Sequence, residues 1–139
     1  LEAAAAQQEF EVLRLLVARG ADVNRGRVQT PLEAAAADRN RRHVAFFLKH
    51  GADINLGIRM TPLEAATSER WAEDVIRLLL DHGADANGGI IRTPLEALLC
   101  HWGTEAFDLA QLLIEKGADV NRGIKTAPLQ VAKSYGYSK

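Results

Sequence analysis

The chain has 139 residues, enough for one ordinary domain. Seventeen basic against eighteen acidic side chains leave no global field for nucleic acid or an anionic membrane, so nucleic-acid and membrane partners are not expected. One cysteine, Cys100, excludes an internal disulfide framework and suits a reducing compartment, so an intracellular site, cytoplasmic or nuclear, is expected.

A short pattern organises the rest. Thr-Pro-Leu-Glu-Ala stands at Thr30–Ala34, Thr61–Ala65 and Thr93–Ala97, with broken copies at Leu1-Glu2-Ala3 and Ala127-Pro128-Leu129-Gln130. Gly-Ala-Asp follows at Gly20, Gly51, Gly83 and Gly117, a spacing of 31 to 34 residues. Such a period means stacked supersecondary units, and a binding surface rather than a catalytic pocket. The repeats run approximately over 1–29, 30–60, 61–92 and 93–125, with a partial one at 126–139. Because Leu1 falls inside a motif, the array is expected to be an excerpt of a longer chain.

Each repeat opens with a helix. Thr30 is its predicted N-cap, Pro31 its first residue and Glu33 its third helical position. Thr-x-x-Glu is a capping box, hydroxyl to one backbone N–H and carboxylate back to another. The box recurs as Thr61/Glu64 and Thr93/Glu96. The helix continues in small residues, Ala34 to Ala37. A second helix follows, with three apolar columns at spacings of three and four. They read Leu13, Val44, Ile76, Ala110; then Leu16, Phe47, Leu79, Leu113; then Val17, Leu48, Leu80, Ile114. Gly20, Gly51, Gly83 and Gly117 end this helix in the left-handed conformation. Arg19, His50, His82 and Lys116 precede them, near the negative helix end. An arm then turns at Asn24-x-Gly26, Asn55-x-Gly57, Asn87-x-Gly89 and Asn121-x-Gly123.

These residues resemble the ankyrin repeat, whose pattern is Thr-Pro-Leu-His-x-Ala, a helix pair, then Gly-Ala-Asp-Val-Asn. The resemblance covers essentially the whole chain, as about four and a half repeats. It implies an all-α, ankyrin-type α-solenoid of antiparallel helix pairs joined by short β-turn arms. It also implies protein–protein recognition through the arms and the concave face of the first helices. Three departures stand out. Glu replaces the family His at Glu33, Glu64, Glu96 and Glu2. The arm from closing Gly to Pro is constant at eleven residues, two shorter than the family pattern. The interval from motif Leu to closing Gly lengthens through 19, 19, 20 and 22 residues, around Trp71 and Trp102.

The candidate site residues follow. Arg25, Arg27, Arg59, Arg92, Arg122 and Lys125 make the arms basic, with no acid in the same stretches. That edge suits an acidic protein segment, or is simply a solvated edge that blocks pairing; Asp22, Asp53, Asp85 and Asp119 could neutralise part of it. Gln7, Asp38, Glu69 and His101 are aligned on the inner helices and vary on a fixed framework. Trp71 and Trp102 should sit side by side on the rim opposite the arms. They either anchor a partner or fill the enlarged turns, as a ring that is usually largely buried would.

His43 breaks an apolar column with Val12, Val75 and Leu109, and reads as a core-edge histidine with one hydrogen bond rather than a pH switch. Cys100 shares a small-residue column with Ala6, Ala37 and Ser68, and reads as a small buried side chain. Helix neighbours point about 100° apart, so Cys100 and His101 make no nucleophile–base pair. No zinc spacing, phosphate loop or nucleophile elbow is present, and no cofactor or metal is expected. The function expected is a non-enzymatic protein-binding module; the alternative is a structural spacer whose parent protein acts elsewhere. Neither end carries a dedicated polar cap, so end-to-end self-association or fraying is expected.

Overall fold

The structure is a computed structural model and describes residues 2–134. Leu1 and the end of the partial repeat, 135–139, lie outside it, as do the side chains of residues 2–6 and of Thr104. Eight helices follow one another: α1 (Glu2–Ala18), α2 (Pro31–Ala37), α3 (Arg41–Lys49), α4 (Pro62–Thr67), α5 (Glu73–Asp81), α6 (Pro94–His101), α7 (Phe107–Glu115) and α8 (Pro128–Ser134). A 3-10 turn, Gly103–Ala106, leads into α7. There is no strand among the described residues. Inner helices α2, α4, α6 and α8 stack in a row, and outer helices α3, α5 and α7 each pack on their own inner partner.

Local chemistry starts the inner helices. Thr30, Thr61 and Thr93 are extended N-caps whose hydroxyls accept from the N–H of Glu33, Glu64 and Glu96 at 3.1 to 3.2 Å. The outer helices end on Gly51, Gly83 and Gly117, with φ of 86°, 86° and 98°. Each is followed by an N–H that reaches back to the last turn: Ala52 to Phe47, Ala84 to Leu79 and Ala118 to Leu113, at 2.9 to 3.0 Å. Between these signals the apolar columns close the core. Leu32, Leu63, Val44, Val75, Ile76, Leu79 and Leu113 are fully buried. Each such side chain contributes about 1.5–3 kcal/mol.

The capping glutamates do more than cap. Glu33, Glu64 and Glu96 are all buried. The Glu33 carboxylate accepts from the backbone N–H of Ile58, Arg59 and Met60 in the next arm, at 2.8 to 3.1 Å. Glu64 holds Ile90, Ile91 and Arg92 in the same way, and Glu96 holds Ile124, Lys125 and Thr126. One carboxylate thus fixes its own helix start and the arm of the following repeat. Asparagines add a second rung: Asn24, Asn55 and Asn87 accept from the N–H of Asp53, Asp85 and Asp119.

The first repeat departs from the expected helix pair. Its two predicted helices run together as α1. Every later repeat breaks at a residue in the left-handed region: Arg39 (φ 56°), Trp71 (φ 67°) and Gly103 (φ 62°). In the second repeat, Asn40 then caps α3 through the His43 N–H. The corresponding stretch of α1 is Gln7-Gln8-Glu9, three good helix formers with no cap, so the helix continues.

Candidate functional site

The arms are built as two consecutive tight turns. The first is closed by an N–H to the aspartate carbonyl three residues earlier, Arg25 to Asp22, Leu56 to Asp53, Gly88 to Asp85 and Arg122 to Asp119. The aspartate side chain then accepts from the asparagine N–H two residues on, at 2.9 to 3.0 Å. The second turn requires glycine. A β-carbon on Gly57 would lie 1.8 Å from the Met60 carbonyl oxygen, and one on Gly89 1.9 Å from that of Arg92.

This construction leaves the arm cations outward. Arg25, Arg27, Arg59, Arg122 and Lys125 are exposed, and none forms an ion pair among the described residues. The neighbouring aspartates serve the turns and do not neutralise them. Arg92 differs. It is half-buried, its Nε lies 4.0 Å from Glu96 without a hydrogen bond, and its Nη1 is 3.5 Å from His101 Nε2.

The inner-helix candidates divide. Asp38, Glu69 and His101 are exposed near the ends of α2, α4 and α6. Gln7 instead sits inside α1, where its amide donates to Glu11 and accepts from Arg42 of α3. It therefore stands apart from the row that the sequence alignment implied. Arms and inner helices meet in a cleft of about 210 Å³, where Arg59 and Met60 face Ser68 and Glu69, with Gln29 and Glu33 opposite. Although the side chain is exposed overall, partial desolvation holds His101 below the ordinary imidazole range, Arg92 adds to this, and Glu69 opposes it. Glu69, Arg92 and His101 are thus electrostatically linked across two repeats. Sequence reasoning missed Gln29 and Met60. Both precede the capping Thr, at the register of Arg92, so variation at a fixed register was the available signal.

The tryptophans have opposite fates. Trp71 is 67% exposed, with the Arg70 guanidinium 5.5 Å from its ring centre. Trp102 is 4% exposed, and its Nε1 donates to the Thr67 carbonyl at the end of α4, at 3.0 Å. The expected side-by-side pair is not formed, because Trp102 turns inward to satisfy a helix-end carbonyl and fill the enlarged turn. Of the two tryptophans, Trp71 remains outward.

The remaining candidates are structural. His43 is half-buried, stacked on Phe10 at 5.7 Å, and its Nδ1 faces the Asn40 amide at 2.9 Å. Asn40 Oδ1 accepts from the His43 N–H, so its NH2 points at Nδ1 and requires a neutral ring. Burial lowers the His43 pKa first, Arg42 next, while Glu9 and Asp38 oppose. Burial raises the Cys100 thiol, away from a reactive thiolate. Among the described residues, no three His, Cys, Asp or Glu side chains are placed to hold a metal ion.

The fold and its inter-repeat rungs define a solenoid protein. The family model for ankyrin repeats, in three copies, matches residues 1–90, and the chain belongs to that family. No curated protein matches the chain. Beyond residue 90, the Thr93/Glu96 box, the Gly117 stop and the Asn87–Asp119 rung repeat the same geometry. Ankyrin repeats are generally protein–protein interaction modules and typically not enzymes. No described helix is long and apolar enough to cross a membrane.

Proposed function

We propose that this array binds a protein partner noncovalently through its arms and the adjoining inner-helix face, and that the partner presents an acidic segment. The unpaired row of arm cations carries the reading. Arg59, Arg122 and Lys125 sit outward on turns that buried carboxylates fix, and the first arm, with Arg25 and Arg27, is tied to the next by the Asn24 rung. A preordered surface loses little conformational freedom on binding. Glu69 shares a cleft with Arg59 of that row, so a partner with polar or basic residues flanking its acidic ones fits best. Trp71 offers a separate hydrophobic anchor at the helix–helix turns.

The test is affinity capture by the 139-residue chain, compared with a variant carrying Arg25→Ser, Arg27→Ser, Arg59→Ser and Arg122→Ser. The expected result is capture of a partner by the wild type and loss of it by the variant at unchanged melting temperature. Capture that survives the charge removal overturns the arm assignment. A parent protein whose interactions survive deletion of the whole array favours the spacer role.

A further inference from the structure

Ile58, Ile90 and Ile124 stand at one register of three successive arms, each directly after the turn glycine. Each gives its backbone N–H to a buried carboxylate, Glu33, Glu64 and Glu96 in turn, at 2.7 to 3.0 Å. Each side chain is left in solvent to the same degree, 45%, 46% and 48% exposed. The turn itself does not require isoleucine. The first arm makes the same close glycine turn at Gly26 and carries Arg27 at this register. A single exposed apolar side chain needs no explanation, but three identical ones in register make a ridge.

Charge is laid out around the ridge in a definite order. Arg59 is exposed beside Ile58, and Arg122 and Lys125 are exposed on either side of Ile124. The middle arm carries no outward cation. It reads Gly88, Gly89, Ile90, Ile91, and its Arg92 is half-buried next to Glu96 and His101. Along the stack the surface therefore runs basic, apolar, basic.

Three ways of docking a peptide segment are distinguishable here. Strand addition needs free backbone donors. In these arms the N–H groups of residues 58–60, 90–92 and 124–126 are all given to the buried glutamates. A polyproline segment docks on aromatic side chains, and residues 52–61, 84–93 and 118–127 contain none. A helix needs neither. The inner helices α4, α6 and α8 stack directly, which sets successive arms about 8–10 Å apart. Two turns of an α-helix, seven residues, rise about 10.5 Å and return a side chain to nearly the same face.

We propose that the acidic segment of the partner is an amphipathic α-helix lying along the three arms. Its apolar side chains at i, i+7 and i+14 meet Ile58, Ile90 and Ile124, in either direction. Its acidic side chains flank the first and last of these and are absent around the middle one. The proposal rests on the reading of an acidic protein partner and adds the partner's conformation and its spacing of residues.

The probe is a synthetic alanine-rich helical peptide of about 18 residues, with Leu at i, i+7 and i+14 and Glu one helical turn from the first and last Leu. Two controls have the same net charge: a permuted peptide with its Leu residues spread around the helix, and one with a central Ala→Pro. Binding to the 139-residue chain is followed through isoleucine methyl resonances. The expected result is an affinity at least about tenfold above both controls. The methyl groups of Ile58, Ile90 and Ile124 should shift together, while that of buried Ile76 stays still. Ile58→Ser, Ile90→Ser and Ile124→Ser together should remove the tenfold preference at unchanged melting temperature. Should that variant unfold, the peptide comparison and the methyl shifts on the wild type decide alone. Equal binding of all three peptides, weakened by Arg59→Ser and Arg122→Ser, overturns the helix and leaves the acidic partner standing. Failure of every peptide to bind also overturns the helix, and a charge-dependent capture by the same chain would then show that the acidic-partner reading survives it. Preferred binding of the first peptide with shifts elsewhere than the ridge overturns the assignment of the site.

Discussion

A buried glutamate is costly unless its charge is answered, and Glu64 is answered four times. It accepts from the N–H of its own cap, Thr61, and from those of Ile90, Ile91 and Arg92. Removing the carboxylate leaves part-buried donors in two repeats. Glu64→Ala is expected to cost about 3–5 kcal/mol, against about 1–2 kcal/mol for the cap alone in Thr61→Ala. Denaturant midpoints of the two variants check the ratio; equal losses would show that the link to the next arm contributes nothing. The Thr-x-x-Glu box was legible because it spans three residues. The link to the next arm was not, because it joins residues 26 to 28 apart through space.

His43 and His101 set a pH dependence at the same scale. Both imidazoles are lowered in the fold, chiefly by burial. The unfolded chain therefore protonates first as pH falls, through about pH 6.5. Their contribution to stability is full above that range and declines below it. Protonating His43 also turns its Nδ1 from acceptor to donor, facing the Asn40 amide. Unfolding midpoints measured from about pH 8 to about pH 5 should fall, and His43→Leu should flatten part of that slope. An unchanged slope would mean that the ring stays solvated.

At the scale of elements, the helix–helix turn is where the repeats differ most. The lengthened turns around Trp71 and Trp102 were visible as extra residues, but their geometry was not. The chain needs one left-handed residue between inner and outer helix, and three unlike residues supply it: Arg39, Trp71 and Gly103. That requirement belongs to the turn, so residue type did not announce it. It also separates the two tryptophans. Trp102→Ala should destabilise by about 3–5 kcal/mol, through a cavity and an unpaired Thr67 carbonyl. Trp71→Ala should stay within about 0.5 kcal/mol, as for an exposed site. Thermal unfolding of the pair checks this, and comparable losses would contradict the burial difference. If Trp71 anchors a partner, its replacement weakens capture without changing stability.

For the whole molecule, stability and recognition are laid out along one axis. The fully buried core runs from Leu32 to Leu113, while Val12, Leu16, Ile114 and Leu129 at the two ends remain exposed. The main inner-helix contacts among the described residues join neighbours, α2 to α4, α4 to α6 and α6 to α8, which is how a solenoid accumulates stability. The arm cations form a row on one edge although the net charge is only −1. Partner affinity carried by that row should fall steeply with salt, because the exposed charges are screened within about 10 Å at 0.1 M. Titration of the captured partner at two ionic strengths checks it; a salt-insensitive affinity would place recognition on the apolar surfaces instead.

Much of this follows from sequence alone because it is local. A capping box, a glycine stop and an Asn-x-Gly turn each act over a few residues. Their recurrence at 31 to 34 residues determined the solenoid. The tertiary structure decided what depends on neighbours brought together from adjacent repeats. It made each capping glutamate an inter-repeat link, turned Trp102 inward and left Trp71 out, and set the arm cations free of their aspartates. It also ran the first repeat into one helix, since Gln7-Gln8-Glu9 lacks the left-handed residue and the cap that bend every later copy. Spacing fixes periodicity, but only the packed stack determines which of its donors and apolar columns find a partner.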